Sequence, residues 1–332
     1  MTKKVKALAL FSGGLDSTLA VMLMLNQNIK VEAITFATPF NFAGKEADKA
    51  AEMAEKLKIP LTTVTVGSNY LRIVRKPKYG YGKNLNPCID CRIFMLRKTK
   101  KCAEEKSAAF IFTGEVLDER PMTQNLTALM RIDAAAGLKG KVLRPLSAKL
   151  MPETEAEKKG WVDRNRLLDI RGRTRKRQIA LAEEFGITNY AWPAGGCLLT
   201  YKEFSSKLRD LFAYKKRISI RDLHLLKVGR HFRLGKNKIV VGRNEKENAF
   251  LIELRGPNDY FFEVQGWGSP TTLLQGPKTK EAIEKAAQLT AYYSDCKTGK
   301  VAVKYGRKTL EEEIAVSIPE KEIVEKLRIS RS

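Results

Sequence analysis

Short apolar runs alternate with segments of helical periodicity through the first 150 residues of the chain. The runs have the length and the β-branched or aromatic content of buried strands, and they cover residues 7–11, 31–36, 61–66, 108–113 and 141–146. Segments with apolar positions at helical spacing lie between them, at residues 18–25, 47–57 and 93–105. This alternation predicts an α/β fold with a doubly wound parallel sheet, whose ligands bind at the carboxyl ends of the strands.

The pattern changes near residue 206. Residues 205–243 contain twelve Lys or Arg but only two acids, Asp210 and Asp222. The elements expected after this basic segment are a strand and turn over 238–248, a strand over 261–268, a helix over 281–293 and a final strand over 301–305. We therefore predict two domains, a nucleotide-binding domain at 1–205 and a smaller, basic α+β domain at 206–332.

Composition indicates which class of partner the chain attracts, but it does not identify that partner. The net charge is +24, and residues 206–332 contribute +10 of it from 26 basic and 16 acidic residues. Such a field attracts polyanions, nucleic acid first, although a basic surface can also serve solubility alone. No apolar run approaches the roughly 20 residues of a membrane span, and five cysteines do not suggest a disulfide scaffold. These features predict a cytoplasmic protein without a membrane partner.

The stretch Ser12-Gly13-Gly14-Leu15-Asp16-Ser17 joins the first strand to the first helix. Glycines allow close approach of an oxyanion, and the first-turn N–H groups of a helix point at it with the positive end of the helix dipole behind them. The spacing fits neither a Walker A loop nor a Rossmann GxGxxG. An ordinary glycine turn with an Asp or Ser cap is the alternative to an anion site.

Three cysteines stand in settings that favour chemistry. Cys88 and Cys91 form a CxxC at a helix start, which suits a redox pair, half of a zinc site or two ligands of an iron–sulfur cluster. The chain has only two histidines, far downstream, which disfavours a Cys/His zinc site. Cys197 follows a Gly-Gly pair and is the natural third partner of the CxxC. Cys102 looks structural, and Cys296 is interpreted as incidental.

Other polar and basic segments could contact a ligand. The fourth strand ends in Gly114, and Arg120 and Gln124 follow it, while Arg144 at the end of the fifth strand could meet phosphate. Residues 73–87 combine Lys, Arg, Gly and Tyr in a predicted mobile loop, which suits RNA or is merely exposed. The arginine-rich segment 171–177 either touches RNA phosphates or begins a solvated helix.

These motifs, taken in order, resemble the PP-loop ATP pyrophosphatases, and in particular the tRNA thiouridine synthetases of the 2-thiouridylase and 4-thiouridine synthetase type. The resemblance rests on the glycine-rich hexapeptide, PCxxC, GE-x-x-x-x-RPM-x-Q, RPLSAK, LLDI-x-GR-x-R and PAGGCLLT. It implies an ATP-dependent sulfurtransferase that adenylates a tRNA uridine and replaces its carbonyl oxygen by sulfur, giving 2-thiouridine or 4-thiouridine. Where the family has a Gly-Gln pair, this chain has Asp118-Glu119.

The same resemblance assigns residues to cofactors. The pyrophosphate is expected on Ser12, Gly13, Gly14, Asp16 and Ser17, with Asp16 also near Mg²⁺. The rest of the ATP site is expected to include Ala33, Ile34, Thr35, Phe36, Gly114, Arg120, Gln124 and Arg144. Cys88, Cys91 and Cys197 are expected to act in catalysis together with Asp16 and to ligate one 4Fe–4S cluster with a free iron position. The alternative is a persulfide route that needs only two of the thiols.

Residues beyond 206 resemble, more loosely, the RNA-binding domain of the NFACT family. The likeness lies in VVGRNEKEN, in the strand ending VQGWGSP and in the helix AAQLTAYYSDCK, although the family's Asp-x-His-x-x-Gly is absent. The expected partners are tRNA and a sulfide or persulfide donor, and a homodimer stays open. The alternatives are a PP-loop enzyme that places nitrogen rather than sulfur on RNA, and a non-catalytic RNA- or ribosome-binding factor.

Overall fold

A computed structural model describes residues 5–41, 45–187, 190, 197–297 and 299–329. The chain forms two compact units, Met1–Thr200 and Tyr201–Ser332. Within the described residues, no helix has both the length and the apolar character needed to cross a membrane.

The first unit is built on a five-stranded parallel sheet, which confirms the predicted α/β class. Its strands are β1 Lys6–Leu10, β2 Lys30–Ala37, β3 Leu61–Thr65, β4 Phe110–Thr113 and β5 Val142–Leu143. Their order is β3-β2-β1-β4-β5, with every pairing parallel. The chain therefore starts at the centre, proceeds to one edge and returns to the other side, which leaves a crevice at the carboxyl ends of β1 and β4 where ligands bind in such folds.

Helices surround this sheet. They are α1 Leu15–Leu25, α2 Lys45–Lys56, α3 Ser68–Arg75, α4 Cys88–Glu105, α5 Leu126–Ala135, α6 Glu155–Lys158 and α7 Lys176–Glu184. Helix α1 is apolar on most of its surface and is therefore largely buried, with Leu19 and Val21 fully inaccessible. Small residues in the central strands, Ala7, Ala9 and Ala33, are also buried and allow the helices to pack closely.

Several boundaries in the first unit differ from the prediction. Helix α4 begins at Cys88 rather than at residue 93, so the CxxC is inside its first turn. The predicted loop at 73–87 is shorter, since α3 continues to Arg75. The strand expected over 141–146 is reduced to Val142–Leu143, because the chain turns at Arg144 into buried side-chain contacts.

The second unit has a six-stranded antiparallel sheet with helices, which confirms its α+β class. Its strands are β6 Arg230–Leu234, β7 Asn237–Val241, β8 Tyr260–Val264, β9 Thr272–Gln275, β10 Lys300–Gly306 and β11 Glu312–Ser317, in the order β11-β10-β8-β9-β7-β6. Its helices are α8 Lys202–Tyr214, α9 Ile220–Leu225, α10 Glu245–Glu253, α11 Lys280–Tyr293 and α12 Lys321–Leu327. Helix α11 packs its buried alanines against the sheet.

Two expectations for the second unit were wrong. The residues after Asn244, predicted as a turn, form α10, which the Asn244 side chain caps by accepting from Glu247 N–H. The strand at 301–305 is not the last, because β11 pairs with it. Cys296, interpreted as incidental in a polar stretch, is buried in the core beside α11.

Candidate functional site

The glycine-rich loop lies between β1 and α1 at the carboxyl edge of the parallel sheet. Gly14 is the N-cap of α1, and no side chain caps the helix. The Ser17 hydroxyl donates to Gly14 O at 2.9 Å and lies 3.2 Å from the Ser12 hydroxyl. The hydroxyls therefore brace the loop, while the positive end of α1 is open to an anion.

At two positions around this loop, neighbouring backbone lies so close that only glycine fits. Gly13 has φ +71°, and a Cβ there would meet the backbone of Lys49 and Ala50 at 2.7 Å. A Cβ on Gly114, at the end of β4, would lie 2.5 Å from backbone atoms of Asp16 and Ser17. Gly114 was predicted as an ATP-site residue, and its evident role is to let β4 pack directly against the start of α1.

Asp16 is the charged group of the loop. Burial, followed by the nearby charge of Glu119, raises its pKa from 3.8 to about 6. Arg175, the N-cap of α7, opposes this, because its Nη2 lies 3.4 Å from Asp16 Oδ2. Gln178 from α7 also lies beside the Asp16 carboxyl and lowers its pKa. The Asp16 carboxylate is therefore protonated more easily than a free aspartate.

Glu119 and Asp118, which depart from the family's Gln and Gly, both contact the arginine-rich segment. Arg175 Nε and Nη2 donate to Glu119 Oε1 at 3.1 and 2.7 Å. Arg171 Nε donates to Asp118 Oδ2 at 2.6 Å. Asp118 has φ +60°, a left-handed conformation that glycine adopts without strain. These arginines are therefore paired within the first unit, although they were expected to meet RNA phosphates or solvent.

The end of β2 lies next to this loop, as an adenine contact would require. Phe11 N–H donates to Ile34 O at 2.9 Å, one residue beyond the end of β1. Ala33 and Ile34 pair with both β1 and β3, whereas Thr35 and Phe36 extend past the end of β1 and pair with β3 on one side. The contact of 33–36 with adenine stays a prediction.

Arg144 is buried in an ion-paired network. Its Nη1 and Nη2 each donate at 2.8 Å to the Asp133 carboxylate, and its Nε donates to Glu115 Oε2 at 3.1 Å. Arg92 from α4 pairs with the other oxygen of Glu115 at 3.0 Å. Burial alone would raise the pKa of Glu115, but the two arginines hold it below its usual value. Arg144 is fully engaged here, so its predicted contact with phosphate has no support from this arrangement and stays a prediction.

Arg120 links the loop to the cysteines. It is exposed, and its positive charge lowers the pKa of both Asp16 and Cys88. Gln124 is 4% exposed and has an Oε1 without a hydrogen-bond partner in the described part of the chain. Arg120 therefore lies within electrostatic reach of both candidate centres, and the unpartnered amide oxygen of Gln124 is available to a ligand.

The CxxC occupies the first turn of α4, where the Pro87 N-cap supplies no side-chain hydrogen bond. Asp90, between the cysteines, accepts the N–H groups of Lys78 and Tyr79, each at 2.9 Å, and so fixes the preceding loop. Burial raises the pKa of the Cys88 thiol, while Arg120 and Arg92 lower it. Both cysteines are partly exposed, and neither is in a disulfide.

Tyr70 from α3 brings the third cysteine into the same cluster. The tyrosine is 2% exposed, and its hydroxyl donates to Cys91 Sγ at 2.9 Å. Burial raises the pKa of Tyr70 well above 10, and the charges of Cys91, Cys197 and Cys88 each raise it further. Cys91 contacts the phenol hydroxyl directly, and the electrostatic effect of Cys197 and Cys88 on the same hydroxyl indicates that all three predicted cysteines lie in one region. The Gly-Gly pair that precedes Cys197 lies outside the described residues.

The donor set suits an iron–sulfur cluster, because three thiols converge on a partly exposed position. Within the described ranges, however, no three Cys, His, Asp or Glu side chains are already spaced to hold a metal ion. The cysteines would have to close in around a cluster.

Sequence reasoning missed Tyr70 and Arg175 as site residues. Tyr70 stands in a segment without any catalytic motif, so only the packing of α3 against α4 reveals it. Arg175 is one of five basic residues between 171 and 177. The signal that could have distinguished Arg175 is its charge match to Glu119, the acid that stands where the family resembled by this sequence has glutamine.

The second unit presents arginines on aromatic rings. Arg230 lies 4.4 Å from the centre of the Tyr293 ring, and Arg328 donates to the Tyr293 hydroxyl at 2.6 Å. Arg233 stacks on Tyr214 at 4.1 Å. Arginine planes beside exposed or half-buried rings are common in RNA-binding surfaces.

The strand order, the α1 N-terminus without a side-chain cap and the Gly-Gly turn at the carboxyl end of β1 define the first unit as a parallel α/β unit with an open anion site at a topological switch point. Two segments of the chain match known families. Residues 2–150 match the family model described as thiamine biosynthesis protein (ThiI), and residues 229–328 match that of the NFACT protein RNA binding domain. The two resemblances that the sequence suggested are thereby confirmed, each for its own segment.

Among individual proteins, the chain is 31% identical over 144 residues to a probable tRNA sulfurtransferase of Ureaplasma urealyticum, covering 42% of this chain and 36% of that protein. The chain thus spans about a third of this relative's length.

Two solved structures are also similar. The U34-tRNA thiolase NcsA of Methanococcus maripaludis with its [4Fe-4S] cluster shows 18% identity and a TM-score of 0.36, covering 68% of this chain and 71% of that one. A 4-thiouridine synthetase–RNA complex with bound ATP shows 22% identity and a TM-score of 0.36, covering 56% and 54%. Since both scores are low, the fold assignment rests on this chain's own strand order.

Proposed function

We propose that this protein is an ATP-dependent tRNA uridine sulfurtransferase acting in the cytoplasm. The observation that carries the proposal is the pairing of two centres in one unit: an open PP-loop at the end of β1, and three cysteines around Tyr70, with the charge of Arg120 acting on both. Nucleotide activation and sulfur transfer need such neighbouring centres. The relative described as a probable tRNA sulfurtransferase supports the assignment and its substrate class, tRNA.

In the first step, ATP lies with its pyrophosphate on Ser12, Gly13, Gly14 and Ser17, with Asp16 beside it. Backbone N–H groups at the start of α1 stabilise phosphate charge. A uridine carbonyl oxygen attacks the α-phosphorus, the bond to the β-phosphate oxygen breaks, and pyrophosphate leaves. The adenylated oxygen is then a good leaving group, which a carbonyl oxygen is not. Mg²⁺ accompanies ATP in this proposal, with Asp16 as the nearest carboxylate.

In the second step, a sulfide-level nucleophile attacks the activated carbon, the carbon–oxygen bond breaks, and AMP leaves. Cys88, Cys91 and Cys197 would hold a 4Fe–4S cluster, which when bound supplies an iron position for sulfide. The residues of this chain shape that position, since Tyr70 directs its hydroxyl to Cys91 Sγ. In the persulfide alternative, one cysteine transfers its outer sulfur and a second thiol forms a disulfide with it, providing the two electrons required.

The second unit is proposed to bind tRNA. Residues 206–332 carry a net charge of +10, and the arginine–tyrosine contacts described above suit phosphates and unstacked bases. We retain the predicted division at 205/206 as the functional boundary. Removing residues 206–332 should weaken tRNA binding and flatten its salt dependence, because each lost phosphate contact no longer releases counterions.

The decisive experiment measures thiouridine in tRNA by nucleoside mass spectrometry after incubation with ATP and a sulfide source under anaerobic conditions. The wild-type chain should form 2-thiouridine or 4-thiouridine together with AMP. Each of C88A, C91A and C197A should lose thiolation by at least about 100-fold, as expected for a group that contacts the reacting atoms. The control is C102A, on the same helix but in the core, which should remain active.

The iron content of the same preparations separates the two sulfur routes. If a cluster is used, all three variants lose iron, and the wild-type protein is brown. If colourless, iron-free protein thiolates tRNA at the full rate with a persulfide donor, the cluster is refuted and the two-thiol route stands. AMP formation without any thionucleoside would contradict the proposed function and favour a PP-loop enzyme of other chemistry. Absence of ATP turnover would favour a binding factor.

A further inference from the structure

The N-terminus of α7 faces the PP-loop and carries a cation. Arg175 is the N-cap of this nine-residue helix, and its guanidinium lies 3.4 Å from Asp16 in the loop. Arg175 is anchored less by Asp16 than by Glu119, to which both Nε and Nη2 donate. Because a helix N-terminus is itself positive, Arg175, Lys176 and Arg177 concentrate positive charge where a helix tolerates it least. Such an arrangement is stabilised by an anion.

Buried polar atoms beside Arg175 lack partners. Gln178, one turn into α7, is completely buried and lies beside the Asp16 carboxyl, but neither of its amide atoms has a partner at hydrogen-bond distance within the described part of the chain. Asp16 Oδ1 and the Thr18 hydroxyl are buried and unpartnered in the same sense. Leaving buried amide and hydroxyl groups unpaired is unfavourable, so native structures rarely contain several together. Their clustering between α1 and α7 indicates that a polar ligand enters here.

Resting on the proposed function, we propose that Arg175 and Gln178, at the start of α7, form the second wall of the phosphate site and bind the outer phosphates of ATP opposite the PP-loop. Glu119 competes with those phosphates for Arg175. In the free protein the Arg175 charge is matched by Glu119, and on nucleotide binding its donors turn to the more highly charged polyphosphate. The family's glutamine at this position would hold the arginine without matching its charge.

Two substitutions with opposite effects test this. E119Q keeps the size of the side chain and removes its charge, so ATP and inorganic pyrophosphate should bind about 10-fold tighter. R175Q removes the donor, so both should bind about 10- to 100-fold more weakly. Binding of AMP, which lacks the outer phosphates, should be unchanged in both variants. Isothermal titration calorimetry with pyrophosphate, AMP and a non-hydrolysable ATP analogue measures all three.

Matched controls come from the neighbouring ion pair. Arg177 Nη2 donates to Asp169 Oδ1 at 2.6 Å, and both side chains are exposed. R177Q makes the same charge change as R175Q, and D169N the same as E119Q, but neither alters a contact of Asp16. The affinities of both control variants for ATP and pyrophosphate should therefore stay within about twofold of wild type. Thermal unfolding of every variant verifies that it is folded.

Different results overturn different claims. If R175Q binds ATP as the wild type does, or loses ATP and AMP equally, Arg175 does not contact the outer phosphates, and this inference is wrong while the proposed function stands. If E119Q binds pyrophosphate more weakly, Glu119 assists the site rather than competing in it, which also refutes the inference. If the wild-type chain binds neither AMP nor the ATP analogue, the proposed function itself fails.

Discussion

The two units compensate their buried cations to different degrees. In the first unit, Arg144 is enclosed by two carboxylates, and Arg175 contacts two more. In the second, Lys207 and Lys238 are both at least 94% inaccessible, and Lys207 Nζ pairs with Glu203 Oε1 at 2.7 Å. Asp210 lies 3.9 Å from Lys238, but it already forms a close pair with Arg233.

Under the proposed function, this difference corresponds to two ways of binding an anionic ligand. In the first unit, individual charged side chains are placed by specific contacts at one point on the edge of the sheet, as a compact polyphosphate requires. The second accumulates positive charge over a whole surface, and even tolerates cations inside, which produces the long-range attraction that suits a polyanion. Substitutions that alter one buried charge at a time can test this contrast.

The largest effect is expected at Arg144. R144Q would leave Glu115 and Asp133 buried without their shared cation, which costs about 3–5 kcal/mol in the free energy of unfolding. Chemical denaturation measures it. R97Q is the control, because exposed Arg97 only donates to Ala135 O, and its loss should cost less than about 1 kcal/mol. Equal stabilities for the two variants would show that the Arg144 network is not a structural centre.

The next effect concerns Asp16. Its raised pKa means that the folded protein binds the proton more tightly than the unfolded one between pH 3.8 and about 6. The free energy of unfolding therefore falls as pH rises through this window and stays at its lower level above it. D16N should remove this fall and stabilise the protein by about 2 kcal/mol at pH 8, while AMP formation is lost. If D16N has the same stability as the wild type at pH 8, burial does not destabilise the charged Asp16 carboxylate.

A somewhat smaller effect of opposite pH direction is expected at Lys238 in the second unit. Burial lowers its pKa from 10.5 to about 8, despite Asp210. Between these values the unfolded chain binds more protons, so the free energy of unfolding rises with pH from about 8 to 10.5. K238M should abolish that rise and stabilise the protein by about 1–2 kcal/mol at pH 7. A marked loss of stability instead would mean that Lys238 is a needed partner of Asp210.

The smallest effect is expected at the uncharged donor of the first unit, Tyr70. Y70F removes the hydrogen bond to Cys91 Sγ, so alkylation of Cys91 at pH 8 should slow by about 5- to 10-fold. Peptide mass spectrometry measures the alkylation rate. Y81F is the control, because that hydroxyl donates to the carbonyls of Val74 and Arg75 rather than to sulfur. Equal alkylation rates in both variants would show that the phenol does not stabilise the Cys91 thiolate.

Local signals in the sequence were sufficient for the PP-loop and for the parallel sheet. The loop is contiguous, and its strand, glycines and helix are each visible in the pattern. The convergence of Cys88, Cys91 and Cys197 could also be predicted, because few residue types offer that chemistry. Tyr70 and Arg175 could not, since their contacts reach 21 residues to Cys91, 56 to Glu119 and 159 to Asp16, and such contacts leave no periodic trace. Helix α10 was missed because only Leu251 of its residues is buried, so its sequence lacks an apolar face.

The tight glycine contacts on either side of the PP-loop have a kinetic consequence. Gly13 lies against the backbone of α2 and Gly114 against the first turn of α1. These close contacts on two sides hold the loop in one conformation in the ligand-free protein. A clamped loop has little conformational entropy to lose when it closes around phosphate. Nucleotide capture should therefore proceed in a single step, with an observed rate that rises linearly with ATP concentration and shows no plateau from a slow loop-ordering step.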